Sequence, residues 1–315
     1  MTRNFAHPWQ LSTIEAAPFD ILRPAGMPVA ARTPTPGSDK SMKTVFAFPH
    51  SGRTYPDAFV AAARLNRVDL RATEDAFVDD LVGFDDGLGA REDIWAIRAN
   101  YARAFVDVNR HPRELDPRLI RGALPKGSLS ETQKVRNGFG VVPRCLTPEA
   151  EIYRQPITLS DVTGRISTLH QPYHEQLQAL IYEARQGRSG ADGPRVALID
   201  WHSMPSSALK SLSALGKGAD IVLGDLYGES CTAGLLDAVR RAFEAEGFKV
   251  SLNMPFAGGY TTQVYGKPDQ GVEALQIEIN RGLYMNEKTI EPGVGFEKVK
   301  QAVRRAAMRF RAALA

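Results

Sequence analysis

Residues 195–205 read Arg195-Val-Ala-Leu-Ile-Asp200-Trp-His202-Ser-Met-Pro205. The apolar run from Val196 to Ile199 is short, continuous and bounded by polar residues, the pattern of a buried strand. Side chains alternate along a strand, so Asp200 and His202 fall on one face. Working outward, Lys43–Phe48 is a second buried run, ended by Pro49. Ile94–Ile97, Ala104–Val108, Asp220–Gly224, Lys249–Leu252 and Glu273–Ile279 read as further strands. Between them the spacing predicts helices over 57–67 (opened by Pro56), 74–88, 168–187, 232–246 and 295–313. Strands alternating with helices imply an α/β sandwich around a largely parallel or mixed sheet. Residues 111–165, rich in Pro, Gly and charge, read as long loops, and long loops in compact domains are often functional. Residues 1–42 read as a largely irregular N-terminal extension, with 43–315 as a single domain.

The bulk numbers exclude several classes of function. The chain has 315 residues, 43% hydrophobic and 24% charged, with a formal net charge of +3. That charge is small and no basic block is present, so neither nucleic acid nor an anionic membrane is expected as a partner. The two cysteines, Cys145 and Cys231, form no CxxC pair and read as free buried thiols, as in a reducing cytoplasm. No run of 18 apolar residues is present, and the first residues lack the apolar core of a secretion signal. The expectation is a soluble, cytoplasmic protein.

In α/β sheets, ligands gather where strands end. Four places put polar residues there. His50 follows the strand ending at Phe48 and precedes Gly52, a position for a metal ligand, a catalytic base or a hydrogen-bonded turn. Asp200 and His202 form the second, with Asp200 either a ligand or the residue that orients His202 from behind. The third is Asn109-Arg110, with Arg103 upstream, where a guanidinium beside an amide can fork a carboxylate. The fourth is Glu278 between Ile277 and Ile279, where a buried carboxylate is costly unless paired or used. Each has an ordinary structural explanation when taken alone.

Six ordered blocks change that weighing. PHSGRTYP at 49–56, FVDVNRHP at 105–112, LIDWHSMP at 198–205, DIVLGDLYGESC at 220–231, NMPFAGGYTTQVYG at 253–266 and ALQIEINRGLYMNE at 274–287 together resemble the N-formylglutamate amidohydrolase family. That family looks related to zinc carboxypeptidases and aspartoacylases. The resemblance implies a three-layer α/β/α fold with a central mixed sheet, Zn2+ as cofactor and a small N-acyl amino acid as substrate. By the same resemblance His50 and His202 bind zinc, and Asn109 and Arg110 hold a substrate carboxylate. Glu278 activates water. Where carboxypeptidases carry a glutamate three residues after the first histidine, this chain has Arg53. The third ligand therefore comes from elsewhere. Asp79 is the choice, with Asp200 the runner-up and Glu74, Asp75 or Asp80 as substitutes for Asp79.

The chemistry follows from those residues. Two imidazoles and a carboxylate leave an open zinc position for water. Glu278 takes a proton and passes it to the leaving amine. Arg110 grips a carboxylate or stabilises the oxyanion, with Arg103, Arg281, Ser203 and Tyr260 as further substrate contacts. The paired glycines Gly258-Gly259 permit a loop to close. N-formylglutamate would yield formate and glutamate. The competing readings are a carboxypeptidase- or cell-wall-amidase-like metallohydrolase and a non-catalytic carboxylate-binding protein.

Overall fold

In the computed structural model the described residues are 16–24, 42–86, 88, 94–186, 193–209 and 218–314. They fall into two compact units. The first draws on Met1–Asp20, Gly52–Glu74 and Ala99–His174, and the second on Ile21–Ser51, Asp75–Arg98 and Glu175–Ala315.

The central sheet is built mostly from residues of the second unit. Its strands are β1 (Phe19–Leu22), β2 (Lys43–Phe48), β3 (Ile94–Ala99), β4 (Val196–Met204), β5 (Ile221–Gly224), β6 (Val250–Leu252) and β7 (Val272–Asn280). Their order across the sheet is β1-β3-β2-β4-β7-β5-β6. β2 runs parallel to β3 and β4, β4 parallel to β7, and β5 parallel to β6; β7 meets β5 antiparallel. The sheet is mixed, as the alternation of elements predicts. Every residue of β4 is buried, which explains its near-continuous apolar run.

Alternation along β4 sends Trp201 to one face and Asp200 and His202 to the other. Trp201 packs edge-on to Phe46 at 5.5 Å and meets Phe243 at 6.4 Å, while Phe46 meets Phe310 at 6.4 Å. Phe243 and Phe310 lie on two amphipathic helices, Ala233–Ala245 and Phe296–Leu314, which cover the Trp201 face. Edge-to-face aromatic pairs of this kind add about 1 kcal/mol each beyond their buried area. The opposite face of β4 is thereby left to the polar pair. The helix Ala233–Ala245 starts at Thr232, whose N–H and hydroxyl both donate to the buried carboxylate of Glu273, at 2.8 and 2.6 Å. That bond satisfies a helix-end donor.

The first unit is built on short elements around an aromatic core. Phe59, Phe105 and Tyr153 surround the Arg165 guanidinium, which lies 4.1 Å from the Phe105 ring centre and donates to the Tyr153 hydroxyl (2.6 Å) and the Phe105 carbonyl (3.0 Å). Arg165 ends the helix Leu159–Arg165, which opens with a reciprocal capping box between Thr158 and Asp161. The chain then makes one turn of π-helix, Ile166–His170, before continuing as α-helix over Gln171–Ala184.

Several expectations need correction. Residues 104–108 form turns rather than a strand: Asp107 accepts from the Asn109 N–H and folds the chain back. The helix expected over 74–88 shrinks to Val78–Val82, started by Phe77 in the left-handed region (φ 66) and stopped by Gly83 (φ 101). Residues 57–67 give only Asp57–Ala62, followed by a separate helix Arg67–Arg71. In the expected irregular extension, residues 19–22 form the edge strand β1; residues 1–15 and 25–41 of it lie outside the described residues. Cys145 and Cys231 are free and buried, as expected. Among the described residues no helix is long and apolar enough to cross a membrane.

Candidate metal centre

Three side chains of the second unit converge. His50 sits in the turn that leaves β2, Asp75 opens the segment leading to the helix Val78–Val82, and His202 stands on β4. Asp75 Oδ2 lies 3.2 Å from His50 Nδ1 and 2.9 Å from His202 Nδ1, and the two Nδ1 atoms are 3.1 Å apart. All three residues are buried, His50 at 2%, Asp75 at 0% and His202 at 3% exposure. They are a group able to hold a metal ion.

The distances fit zinc. With donors about 2.0–2.1 Å from a tetrahedral zinc ion, neighbouring donors lie about 3.4 Å apart; the triangle seen here is of that size and slightly compressed. The chemistry of the donors agrees. His202 Nε2 lies 2.9 Å from Asp200 Oδ2, so its N–H donates to that carboxylate and its Nδ1 lone pair is directed at Asp75 and His50. A carboxylate behind a ligating imidazole is the usual support in such sites. Without a metal, a proton must separate Asp75 from His202. Burial pulls the His202 imidazole down, but the carboxylates of Asp200 and Asp75 outweigh it and hold the group well above its usual value. Burial pushes the Asp75 carboxyl up, and its bonds to His202 and His50 outweigh that and hold it well below the usual range.

The carboxylate in the triangle is therefore that of Asp75, which the sequence offers only as a substitute for Asp79. Asp79, the expected ligand, accepts from Arg98 Nη1 at 3.0 Å; it lies in the first turn of the short helix, where its carboxylate is committed to that guanidinium. Asp200 is the support of His202 rather than a donor in the triangle. Arg53, at the position of the missing glutamate, is exposed. No periodicity distinguishes Asp75 from its acidic neighbours. What selects it is a backbone bond from its own N–H to the His50 carbonyl, 2.9 Å.

Around the triangle, β7 lies in register with β4, pairing Glu278 with His202 and Gln276 with Asp200. Paired positions of a parallel ladder project to one face, so Glu278 joins the His202 side of the sheet. Its Oε1 accepts from Gln276 Nε2 at 2.9 Å. Arg281 and Ser203, expected on substrate, lie against Asp75: Arg281 Nη2 donates to Asp75 Oδ1 at 2.9 Å, Arg281 Nε to Ser203 Oγ at 3.0 Å, and Ser203 Oγ lies 3.4 Å from Asp75 Oδ1. Tyr260 opens the helix Tyr260–Tyr265 and is half-buried. Gly258, two residues before it, is closely packed. A Cβ on Gly258 would strike Thr262 and Leu226, and one on Gly224 would strike the backbone of Ala257.

The first unit holds Arg103, Asn109 and Arg110. Asp107 organises them: its Oδ1 accepts from the Asn109 N–H (2.9 Å) and its Oδ2 from Arg103 Nε (2.9 Å), with Arg110 Nε at 3.8 Å. Arg110 Nε donates to the Phe139 carbonyl at 3.1 Å. Two further histidines hold this turn from behind. His170 Nε2 donates to the Arg110 carbonyl at 2.9 Å and His174 Nε2 to the Val108 carbonyl at 2.7 Å. Burial lowers both imidazoles, His174 to about 3, so both are neutral donors. Lys134 also belongs to this cationic group. Although the residue as a whole is exposed, desolvation of its amine and then the Arg110 charge pull it down to about 8.

The model of the N-formylglutamate amidohydrolase family matches residues 42–285, which include the whole donor triangle. The chain belongs to that family. N-formylglutamate deformylase of Pseudomonas aeruginosa is 28% identical over 249 residues, 78% of this chain and 82% of the relative. The Pseudomonas putida protein of the same name is 26% identical over 246 residues, covering 77% and 82%. The crystal structure of N-formylglutamate amidohydrolase from Ralstonia eutropha JMP134 superposes with a TM-score of 0.78 at 30% identity, covering 95% of this chain and 98% of that one. As an N-formylglutamate amidohydrolase family member, the chain shares its mixed α/β fold with that neighbour.

Proposed function

We propose that this chain is a zinc-dependent amidohydrolase that cleaves N-formyl-L-glutamate to formate and L-glutamate, on a three-layer fold of zinc-carboxypeptidase type with 43–315 as its catalytic domain. The observation that carries the reading is the convergence of His50 Nδ1, His202 Nδ1 and Asp75 Oδ2 within 3.2 Å of one another. The names of the relatives supply the substrate.

His50, Asp75 and His202 would hold the ion, and zinc, when bound, supplies Lewis acidity toward the acyl oxygen and a water made acidic near neutral pH. Glu278 accepts the proton of the attacking water and delivers it to the amine nitrogen as the C–N bond breaks. Its neighbour Gln276 holds Oε1 and so orients the carboxylate. Asp200 keeps the His202 proton on Nε2. Arg110 and Asn109, with Arg103, are assigned to the substrate carboxylates, where a planar guanidinium gives a directional grip; Tyr260 is assigned to the substrate as well. A small N-acyl amino acid is then the only partner required, in a soluble, cytoplasmic setting.

The test is metal content together with formate release from N-formyl-L-glutamate, on wild type and on His202→Ala. One zinc per chain and formate release in the wild type, with both lost in the variant, is the expected result. Zinc without formate release would remove the substrate assignment and leave the metallohydrolase. Absence of metal after zinc supplementation would overturn the mechanism.

A further inference from the structure

Arg281 follows directly on β7 and is buried to 6% exposure. An arginine in a carboxylate-handling enzyme invites assignment to the substrate, yet this one is turned to the donor triangle. Its Nη2 donates to Asp75 Oδ1 at 2.9 Å and lies 3.4 Å from the Ser203 carbonyl, while its Nε donates to Ser203 Oγ at 3.0 Å. Ser203 Oγ is in turn 3.4 Å from Asp75 Oδ1. The Asp75 carboxylate is thereby divided: Oδ1 faces Arg281 and Ser203, and Oδ2 faces the two imidazoles.

The backbone repeats the connection. The Asn280 side chain accepts from the Gly282 N–H at 3.0 Å and caps the short 3-10 turn Arg281–Leu283. Three residues past Arg281, the fully buried Tyr284 donates its hydroxyl to the carbonyl of Ala76 at 3.0 Å. One segment, 281–284, thus grips the 75–76 segment twice, once through the carboxylate and once through the adjacent peptide.

We propose that Arg281 is a positioning residue for the metal site: it holds Asp75 as a one-oxygen donor, with Tyr284 fixing the peptide behind it, and it does not grip the substrate. This rests on the metal-site reading above. A cation on the far oxygen leaves the near one somewhat less basic but fixes it toward the two imidazoles, and the loss of that fixing outweighs the gain in basicity when Arg281 is removed. Without Arg281, Asp75 is free to turn and offer both oxygens. Partners placed behind a metal ligand are worth about 10–100-fold in metal affinity.

The experiment measures zinc affinity by chelator competition, the visible spectrum of the cobalt-substituted protein, and kcat and KM at saturating zinc. It compares wild type with Arg281→Met, Arg281→Lys and Tyr284→Phe. Arg281→Met is expected to bind zinc about 10–100-fold more weakly and to change the cobalt spectrum as Asp75 alters its binding mode. KM for N-formyl-L-glutamate at saturating zinc stays within about twofold. Arg281→Lys recovers part of the affinity, and Tyr284→Phe, which removes a single oxygen, weakens binding in the same direction. If Arg281→Met does not fold, the other two variants carry the comparison. Unchanged zinc affinity and spectrum with a raised KM would overturn the proposal and return Arg281 to the substrate. A wild type that takes up no zinc would instead overturn the metal reading itself, and this inference with it.

Discussion

The backbone N–H of Asp75 donates to the carbonyl of His50 at 2.9 Å, and the Asp75 carboxylate returns to His50 Nδ1 at 3.2 Å. Two residues 25 positions apart are thus held by main chain and side chain together. Asp75→Asn keeps the shape but replaces the anionic donor. It is expected to abolish stoichiometric zinc binding and lower kcat/KM by about three orders of magnitude. Asp79→Asn is the control. It breaks the pair with Arg98, costs about 3 kcal/mol of stability, and leaves zinc content intact. Metal analysis and thermal unfolding of the two variants separate the roles.

The metal-free chain carries a second consequence in its pH dependence. His202 is held above its ordinary 6.5 by Asp200 and Asp75. A group raised on folding contributes stability that is complete below the unfolded value and is lost as pH rises through the folded one. Asp75, lowered on folding, contributes above its unfolded value and loses that contribution as pH falls through its lowered one. The Tm of the metal-free protein is therefore expected to fall as pH rises from about 6.5. Zinc competes with that proton, so the gap between the zinc-loaded and metal-free Tm should widen over the same range. A gap that narrows would contradict the assignment of the proton to His202.

His174 offers a test confined to the first unit. His174→Phe fills a similar space but withdraws the donor from the Val108 carbonyl. A buried acceptor left without its partner costs about 1–3 kcal/mol, and the turn carrying Asn109 and Arg110 loosens. The expected result is a lower Tm and a raised KM for N-formyl-L-glutamate, with zinc content unchanged. Loss of zinc in this variant would mean that the histidine does more than hold the turn.

Among the described lysines, Lys134 is expected to be the most reactive near pH 8, because its amine is brought down to about 8 by desolvation and by Arg110. Above that pH the amine is neutral and nucleophilic, while ordinary lysines remain protonated up to about 10.4. Competitive acetylation followed by peptide mapping should give a titration midpoint near 8 for this residue. Arg110→Met should move the midpoint upward, since one of the causes that lower it is removed.

The sheet was legible because its strands are buried and continuous. Val196–Ile199 and Lys43–Phe48 could be read from composition alone, and β7 from its alternation. The apolar spacing of 74–88 suggested a long helix, yet Phe77 at φ 66 and Gly83 at φ 101 cut it to one turn. Backbone handedness of this kind leaves no periodic trace. His50 and His202 could be singled out because each follows an apolar strand run, whereas the pairing of Glu278 with His202 rests on the register of β7 against β4, which the sequence does not show. Asp75 did not, because a hydrogen bond from its peptide singles it out among several acids. The same holds for Arg281, whose bond to Asp75 connects residues 206 positions apart. His170 and His174 were hidden by their helix, where a donor to a distant carbonyl looks like any polar residue on a helix face.

That separation along the chain bears on how the site comes into being. His50 and His202 are 152 residues apart, and they meet only because β2 and β4 lie side by side. During synthesis the first two donors emerge early, but no third exists until β4 has been made, and Arg281 arrives later still. Until β4 is made the nascent chain holds only two of the three side chains of the triangle. An ion held by all three side chains would be loaded only after β4 is made, and so would follow assembly of the sheet rather than nucleate it. Any fragment ending before residue 202 lacks the third corner of the triangle, however well its first strands form.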